Sequence, residues 1–371
     1  MRVRRALVVS VLLLLCLLPI ARDGIARGHR TDSGSIMLLD AASGRVLAHL
    51  TANGAVVAAL ADGRGGWFVG GSFTRVGGRH HVALAHLFPS GAVDPAWHAS
   101  IGSETGAAVA VNALARSRSH LFVAGPFGRV GGVHRGGLAA VDANTGAVQR
   151  GWAPRPAAWP DVQALLVAGP RLLVARNWWP GIAALDVRTG AVDRRWQPHL
   201  RLIGDAGSFN TLLLHRSRVY VGGSFHVAGL ERNGLVALAT GNGRPDRLFA
   251  PQVPNCSVCN RFAIVYGLAA SERRLYISGS FGRVGGEARD GVAALDARTG
   301  AVDRSWRPGR GGRDVLHLAV IASALYLGGM RGLWALEATT GALVPRPRLR
   351  SPHEVLALAG SGRRLLVTGR D

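Results

Sequence analysis

The chain contains no lysine. Its 44 basic residues are all arginine, set against 22 acidic ones, and the formal charge is +22. An excess of that size has two readings. It is an electrostatic footprint for acidic polymer, nucleic acid or anionic lipid, or it is arginine scattered over solvated turns. No basic run exceeds two or three residues, which favours scatter and argues against a specific nucleic-acid partner. Helical periodicity is missing beyond the first thirty residues. The portable catalytic signatures are missing too. There is no Gly-x-Ser-x-Gly elbow, no His-Glu-x-x-His and no Walker loop, and Gly241-Asn-Gly243 lacks the third glycine of a dinucleotide fingerprint. Cysteine is scarce, with 3 in the chain. Cys256 and Cys259 stand in a loop, 251–262, without a second CxxC or a nearby histidine. Zinc would want four ligands and a redox pair would want a βαβ context, so a local disulfide is expected there, with no metal site and no cofactor.

What the chain has is glycine (51), proline (17) and a 48% hydrophobic content, which suit short strands, tight turns and an ample core. Residues 1–26 read as a signal peptide: Arg2, Arg4 and Arg5 precede an apolar run, 6–21, too short for a comfortable membrane span, and Ala26 offers a cleavage point. Retained, the segment would be an N-terminal anchor and the only membrane contact. Cys16 has leucine on both sides, which does not fit a lipoprotein signal. A linker, 27–35, follows. Export would favour the Cys256–Cys259 bond.

From residue 36 onward one unit recurs, clearest at 121–152: strand, Gly-rich loop, strand, Asp-x-x-Thr-Gly turn, outer strand ending on an aromatic. Aligned on the turn glycine, it recurs at Gly44, Gly91, Gly146, Gly190, Gly241, Gly300 and Gly341, and outer strands end on Trp97, Trp152, Trp196, Phe249 and Trp306. A sheet of this size cannot bury both faces alone and needs neighbours. Residues 36–50 hold only the last two strands of a unit and 355–371 only the first two. Pairing them closes the set and hides exposed edges. The expectation is an all-β, seven-bladed β-propeller at 36–371, with blades near 56–97, 111–152, 162–196, 209–249, 265–306, 315–343 and 355–371 plus 36–50.

The segments VGGSFTRVGGRHHVALAHLFPSGAVDPAW (69–97), YVGGSFHVAGLERNGLVALATGNGRPDRLF (220–249) and YISGSFGRVGGEARDGVAALDARTGAVDRSW (276–306) resemble the delta-60 repeat propellers. That resemblance covers nearly all of 36–371 and implies a secreted or cell-surface bacterial propeller, with little implied about chemistry. Two units depart from the motif, at Arg176-Asn-Trp-Trp-Pro-Gly181 and Gly328-Gly-Met-Arg-Gly332. The Leu295–Gly300 segment is also similar to quinoprotein dehydrogenase repeats.

The long links and the GGSF…VGG loops fall on one face, which is the expected binding surface. Arg75, Arg129 and Arg283 share one loop position, with His226 nearby in a fourth unit. They would form a partial ring of cations for an acidic ligand, or lay their stems over Phe73, Phe127 and Phe281; repetition favours the second. Trp178 and Trp179 replace a whole loop and would offer a stacking platform for sugars, unless they pack between blades. Asp142, Asp186 and Asp296 read as turn formers, and Asp94, Asp193 and Asp303 as caps of the outer strand. His80, His81 and His86 do not suggest a metal site, because His81 and His86 would face opposite sides of one strand. The functional expectation is a non-catalytic extracytoplasmic module that binds envelope glycan, acidic polymer or a surface protein. The alternatives are a quinoprotein-like oxidoreductase needing a Ca²⁺-binding carboxylate cluster, and a polysaccharide hydrolase or lyase, for which Glu104, Asp161 and Asp205 are the first loop acids to inspect.

Overall fold

The computed structural model describes residues 33–370 apart from 156–157, 178–180, 199, 201–206, 228–229, 231, 255–262, 310–311, 313, 345–350 and the side chain of residue 232. The chain divides into two compact units, Met1–Thr31 and Asp32–Asp371, and the described residues all belong to the second. The expected leader 1–26 lies outside them. Among the described residues there is no helix; the chain is all-β.

Six three-stranded antiparallel meanders follow one another. They are Val56–Ala61, Trp67–Gly71 and Leu84–Leu87; Ala113–Arg116, His120–Ala124 and Leu138–Asp142; Val162–Ala168, Arg171–Arg176 and Ile182–Asp186; Ser208–His215, Arg218–Val227 and Arg232–Ala239; Ile264–Ala270, Arg274–Ser280 and Val292–Asp296; and Val315–Ile321, Ala324–Gly329 and Gly332–Glu337. A further sheet is composite: Glu354–Ser361 pairs with Arg364–Arg370, which pairs with Gly34–Asp40, which pairs with Val46–Ala52. Ile36 lies opposite Thr368 and Leu38 opposite Leu366, so both ends of the second unit are hydrogen-bonded into one sheet. The first strand of each sheet packs on the first strand of the next. The series runs from Val56–Ala61 through Ala113–Arg116 to Val315–Ile321 and Glu354–Ser361, then returns to Val56–Ala61.

The outer strands differ from expectation. In the six meanders the fourth strand shrinks to single bridges, such as Val141 to Val148 and Leu295 to Val302. In the third and fifth units the aspartate ahead of the outer aromatic contributes to this. Asp193 and Asp303 accept the backbone N–H two residues on (both 2.9 Å) and turn the chain away after one bridge. Only Val46–Ala52 is a full fourth strand. The turn glycine of the fourth unit is also displaced: Gly243 closes the turn onto the Ala239 carbonyl (2.9 Å) and has the positive φ of 76°, not Gly241.

The second glycine of the GGSF motif has a steric cause. First strands carry a bulge, for example between Val265 and Gly267, which pushes a carbonyl toward the second strand. A Cβ on Gly279 would sit 1.9 Å from the Ile264 carbonyl oxygen, and one on Gly71 would sit 1.9 Å from that of Ala55. No side chain fits there. Beyond it, the loop is not irregular. Arg75–Val76 and Arg79–His80 form a hairpin whose Val76 pairs with Ala52 of the preceding sheet, and Arg129–Val130 pairs with Val133–His134 and with Ile101–Gly102 of the preceding link. Gly77 and Gly78, with φ of 54° and 77°, supply the two positive values of a tight two-residue hairpin turn.

Neighbouring sheets are joined by aromatic donors. Tyr220 Oη donates to the Ala297 carbonyl, Tyr276 Oη to that of Ala338 (2.6 Å), and Tyr326 Oη to that of Ala41. In the first two units Phe68 and Phe122 hold the corresponding place on the second strand. There the outer-strand tryptophan donates instead, Trp97 Nε1 to Ala143 O (3.2 Å) and Trp152 Nε1 to Asp186 O (3.3 Å). Each acceptor sits on, or just after, the acidic residue of the next sheet's turn. Tyr276→Phe should cost about 1–3 kcal/mol, because it orphans a buried carbonyl while leaving the ring in place. Urea unfolding measures this; a midpoint equal to wild type would remove the interaction from the account.

Candidate functional site

The three repeated arginines are exposed on the motif hairpins. Each turns back on its own hairpin: Arg75 donates to Gly78 O (3.0 Å), Arg129 to Gly132 O (2.9 Å) and Arg283 to Gly286 O. They act as clasps of the Val-Gly-Gly turn, while Phe73, Phe127 and Phe281 are buried beneath. His226 is hydrogen-bonded to Asn233 on the adjacent strand (2.7 Å). Trp178 and Trp179 lie outside the described residues, as do Cys256, Cys259 and Asp205. Nearby, the Arg176 guanidinium lies 5.4 Å above the ring of Trp159, a cation–π contact the motif reading did not foresee.

The acidic residues are engaged in architecture. Asp142, Asp186 and Asp296 accept hydrogen bonds from the N–H groups of the next two or three residues and from the threonine hydroxyl of their own turns. Asp193, Asp246 and Asp303 also bind an arginine at the start of the second strand: Arg171 (2.7 Å), Arg218 (2.6 Å) and Arg274 (2.7 Å). The Arg171 hydrogen bond holds the Asp193 carboxyl below its usual range. In the first unit a histidine replaces the arginine, and His86 bridges Asp94 (2.9 Å) and Asp62 (3.1 Å). Glu104 is held by His134 (2.6 Å) and Arg129 (3.5 Å). Asp161 is exposed on a backbone with φ of 56°. Among the described residues no three His, Cys, Asp or Glu side chains gather as a metal-binding group. The first strands, where a carboxylate cluster would be needed for the quinoprotein alternative, read VVAALA, ALAR, VQALLVA, SFNTLLLH, IVYGLAA, VLHLAVI and EVLALAGS. They bear one carboxylate, Glu354.

His81 and His86 do not share a strand: His80 ends one and His86 lies in Leu84–Leu87, with Ala83 at φ 60° between. His81 is buried and stacks on His98 with ring centres 5.1 Å apart. Burial first, then the adjacent His98, lowers its pKa. His317, on Val315–Ile321, is half-buried on the first strand, and the partial loss of water around its ring lowers its pKa to about 4 from 6.5.

A pocket of about 370 Å³ lies on the opposite side of the sheets from the motif loops, among the short turns. Its walls are the hairpin His215–Arg218, the hairpin containing Glu272 and Arg273, and the turn Asp296–Arg298. The binding face expected from loop length therefore does not hold this concavity, since the GGSF loops are folded into hairpins. Tyr220 forms the floor. Arg218 is fixed there by Asp246 and by donation to the carbonyls of Ala297 (3.1 Å) and Arg298 (2.8 Å).

No protein-family model matches the sequence, and no curated protein matches it. Solved structures do, and together with the returning series of sheets they support a β-propeller fold. The extracellular domain of the putative one component system BT4673 from B. thetaiotaomicron is similar over 86% of this chain and 38% of its own, with TM-score 0.55 and 13% identity. The computationally designed Ika8 protein is similar over 86% of this chain and 96% of its own, with TM-score 0.52 and 13% identity. The WD40 β-propeller domain of Doa1 covers 86% of this chain and 94% of its own at TM-score 0.48 and 10% identity. At such identities the likeness carries the fold alone.

The depressed histidines set a pH dependence. Above pH 6.5 His317 is neutral folded or unfolded and costs nothing. Between 6.5 and about 4 the unfolded chain takes the proton and the folded one does not, so stability falls with acidification and levels off below. The full swing is at most about 3 kcal/mol, less the share that water screens around a half-buried ring, and His81 adds to it in the same direction. His317→Gln should flatten urea midpoints measured from about pH 7 to 5.5, a window above most of the carboxylate titration; an unchanged slope would contradict the assignment.

Proposed function

We propose that the chain is an exported, non-catalytic binding or scaffold propeller of seven blades, a relative of the delta-60 repeat proteins, and that it meets an acidic polymer, a glycan or a surface protein at the cell envelope. The observation that carries this reading is how the charged side chains are used. The repeated aspartates, their strand-leading arginines, His86 and Glu104 hold the sheets together, so chemistry-bearing groups are engaged in architecture. Three of the exposed arginines, Arg216, Arg273 and Arg298, line a concave site. The blade count rests on six meanders and the composite sheet, with first strands in a series that returns to its start. Export rests on the composition of residues 1–26, and the BT4673 neighbour is itself an extracellular domain. Cys256 and Cys259 are paired in this reading.

Expression of the full chain in a secreting host tests location directly: the recovered protein should begin after Ala26, and thiol titration of the unfolded product should find no free cysteine. The recovered chain should be retained by immobilised polyuronate or by an envelope fraction, and released as ionic strength passes about 0.15 M for the acidic ligand. It should turn over none of them. Hydrolysis or elimination of any saccharide offered, or dehydrogenase activity with quinone and Ca²⁺, would overturn the reading.

A further inference from the structure

We propose that the pocket between the hairpin His215–Arg218 and the hairpin and turn of the following sheet is a specific seat for an oxyanion, a carboxylate or phosphate carried on an acidic polymer. This rests on the binding reading above and names the site and chemistry within it.

Three features of the pocket bear on this assignment. The first is loosely compensated charge. Arg216 meets Glu272 only at 3.9 Å, with both side chains well exposed. Neither Arg273 nor Arg298 makes a side-chain hydrogen bond or ion pair among the described residues. The Asp296 carboxylate, although at the rim, is turned into its own turn by the N–H groups of Arg298 (3.0 Å) and Thr299 (2.8 Å) and by the Thr299 hydroxyl (2.9 Å). Arg216, Arg273 and Arg298 therefore line one cavity together with Glu272, which is held loosely, and Asp296, which feels the charge of Arg298.

The second feature is backbone strain. Arg216 has φ of 55°. The corresponding hairpins of the third and composite sheets place glycine there, Gly169 at 62° and Gly362 at 57°, and that of the sixth places Ala322 at 52°. A long side chain in the left-handed region costs about 1 kcal/mol that glycine would avoid, and here that position is one of those lining the pocket.

The third feature is a rigid floor. Tyr220 Oη and Arg218 Nη1 both donate to the Ala297 carbonyl, and Arg218 is neutralised by Asp246. The two blades are thereby locked at a fixed spacing, which preorganises the arginines above. Arginine forks pair bidentately with carboxylate and phosphate oxygens, and a cavity of about 370 Å³ lies within the size range of small-ligand sites.

The test is calorimetric titration of the full chain at low ionic strength with oligogalacturonate, with tripolyphosphate and with neutral maltooligosaccharide. The two anions separate carboxylate from phosphate as the preferred source. Wild type should bind at least one anion and not the neutral sugar. The double variant Arg273→Gln/Arg298→Gln, which alters only exposed side chains, should weaken that binding at least tenfold. Arg79→Gln, an exposed charge on the motif hairpin of the first blade, should change it less than twofold. Equal weakening by Arg79→Gln would mean diffuse charge rather than a seat, and wild-type affinity in the double variant would overturn the pocket while leaving the binding function standing. If wild type binds neither anion, the acidic-polymer partner falls and the pocket assignment with it.

Discussion

Among the described residues, a hydrogen bond from an aromatic side chain to a turn carbonyl of the following sheet fixes the spacing between neighbours at five of the seven sheet boundaries. Apolar packing between sheets is strong but has no direction, and a stack of similar faces could slide. A donor buried at the interface with a single carbonyl in reach removes that freedom, because misplacement orphans both groups. Blades differ in which side chain supplies the donor. Phe68 and Phe122 leave it to Trp97 and Trp152; Tyr220 and Tyr276 supply it themselves. Where tyrosine donates, the outer partner has no such duty. Phe249 stands in that place in one blade, and in the next Trp306 keeps an Nε1 with no hydrogen-bond partner. The two aromatics of a blade, with ring centres 5.2–5.8 Å apart, act as one unit with one proton to give.

This division of labour explains which parts of the fold were legible in the sequence. Period-two apolar runs locate the second and third strands closely: Leu138–Asp142, Ile182–Asp186 and Val292–Asp296 stand where the pattern puts them. The half units at the two ends announce their own pairing, and Ile36 opposite Thr368 is that pairing. What the pattern hides is pairing at a distance. Nothing around Arg75-Val76 says that Val76 will bond to Ala52 of the preceding sheet, because the partner lies in another unit and its contribution is backbone. The outer strands mislead for the opposite reason. Their apolar alternation suits a strand, but Asp193 and Asp303 draw the backbone into a cap and an arginine pair, which ends the ladder after one bridge.

The candidate site was less legible, and the motif itself is the reason. Repetition draws the eye to Arg75, Arg129 and Arg283, yet a feature shared among blades answers a need shared among blades, here the closing of a two-glycine turn. The pocket arises from a combination that no single unit displays. Arg298 shares its turn position with Arg188 and Arg273 its hairpin position with Arg363, while Arg216 stands where the composite sheet has Gly362, and only the fold places the three about one cavity. Loop length pointed to the other face for a related reason: long GGSF loops suggest freedom, but half of each is consumed in a hairpin.

The absence of lysine acquires a physical meaning in this setting. At the starts of the second strands, Arg171, Arg218 and Arg274 each direct one nitrogen to a carboxylate, and Arg171 and Arg218 direct another to carbonyls of a neighbouring turn. A lysine ammonium is a single point on a flexible stem and cannot hold two such partners in one plane. The same fork that joins blades is available, unpaired, at Arg273 and Arg298. A chain that stitches its sheets with arginine therefore acquires an oxyanion receptor wherever a blade supplies the guanidinium without the matching aspartate. The boundary between the fourth and fifth blades is such a place.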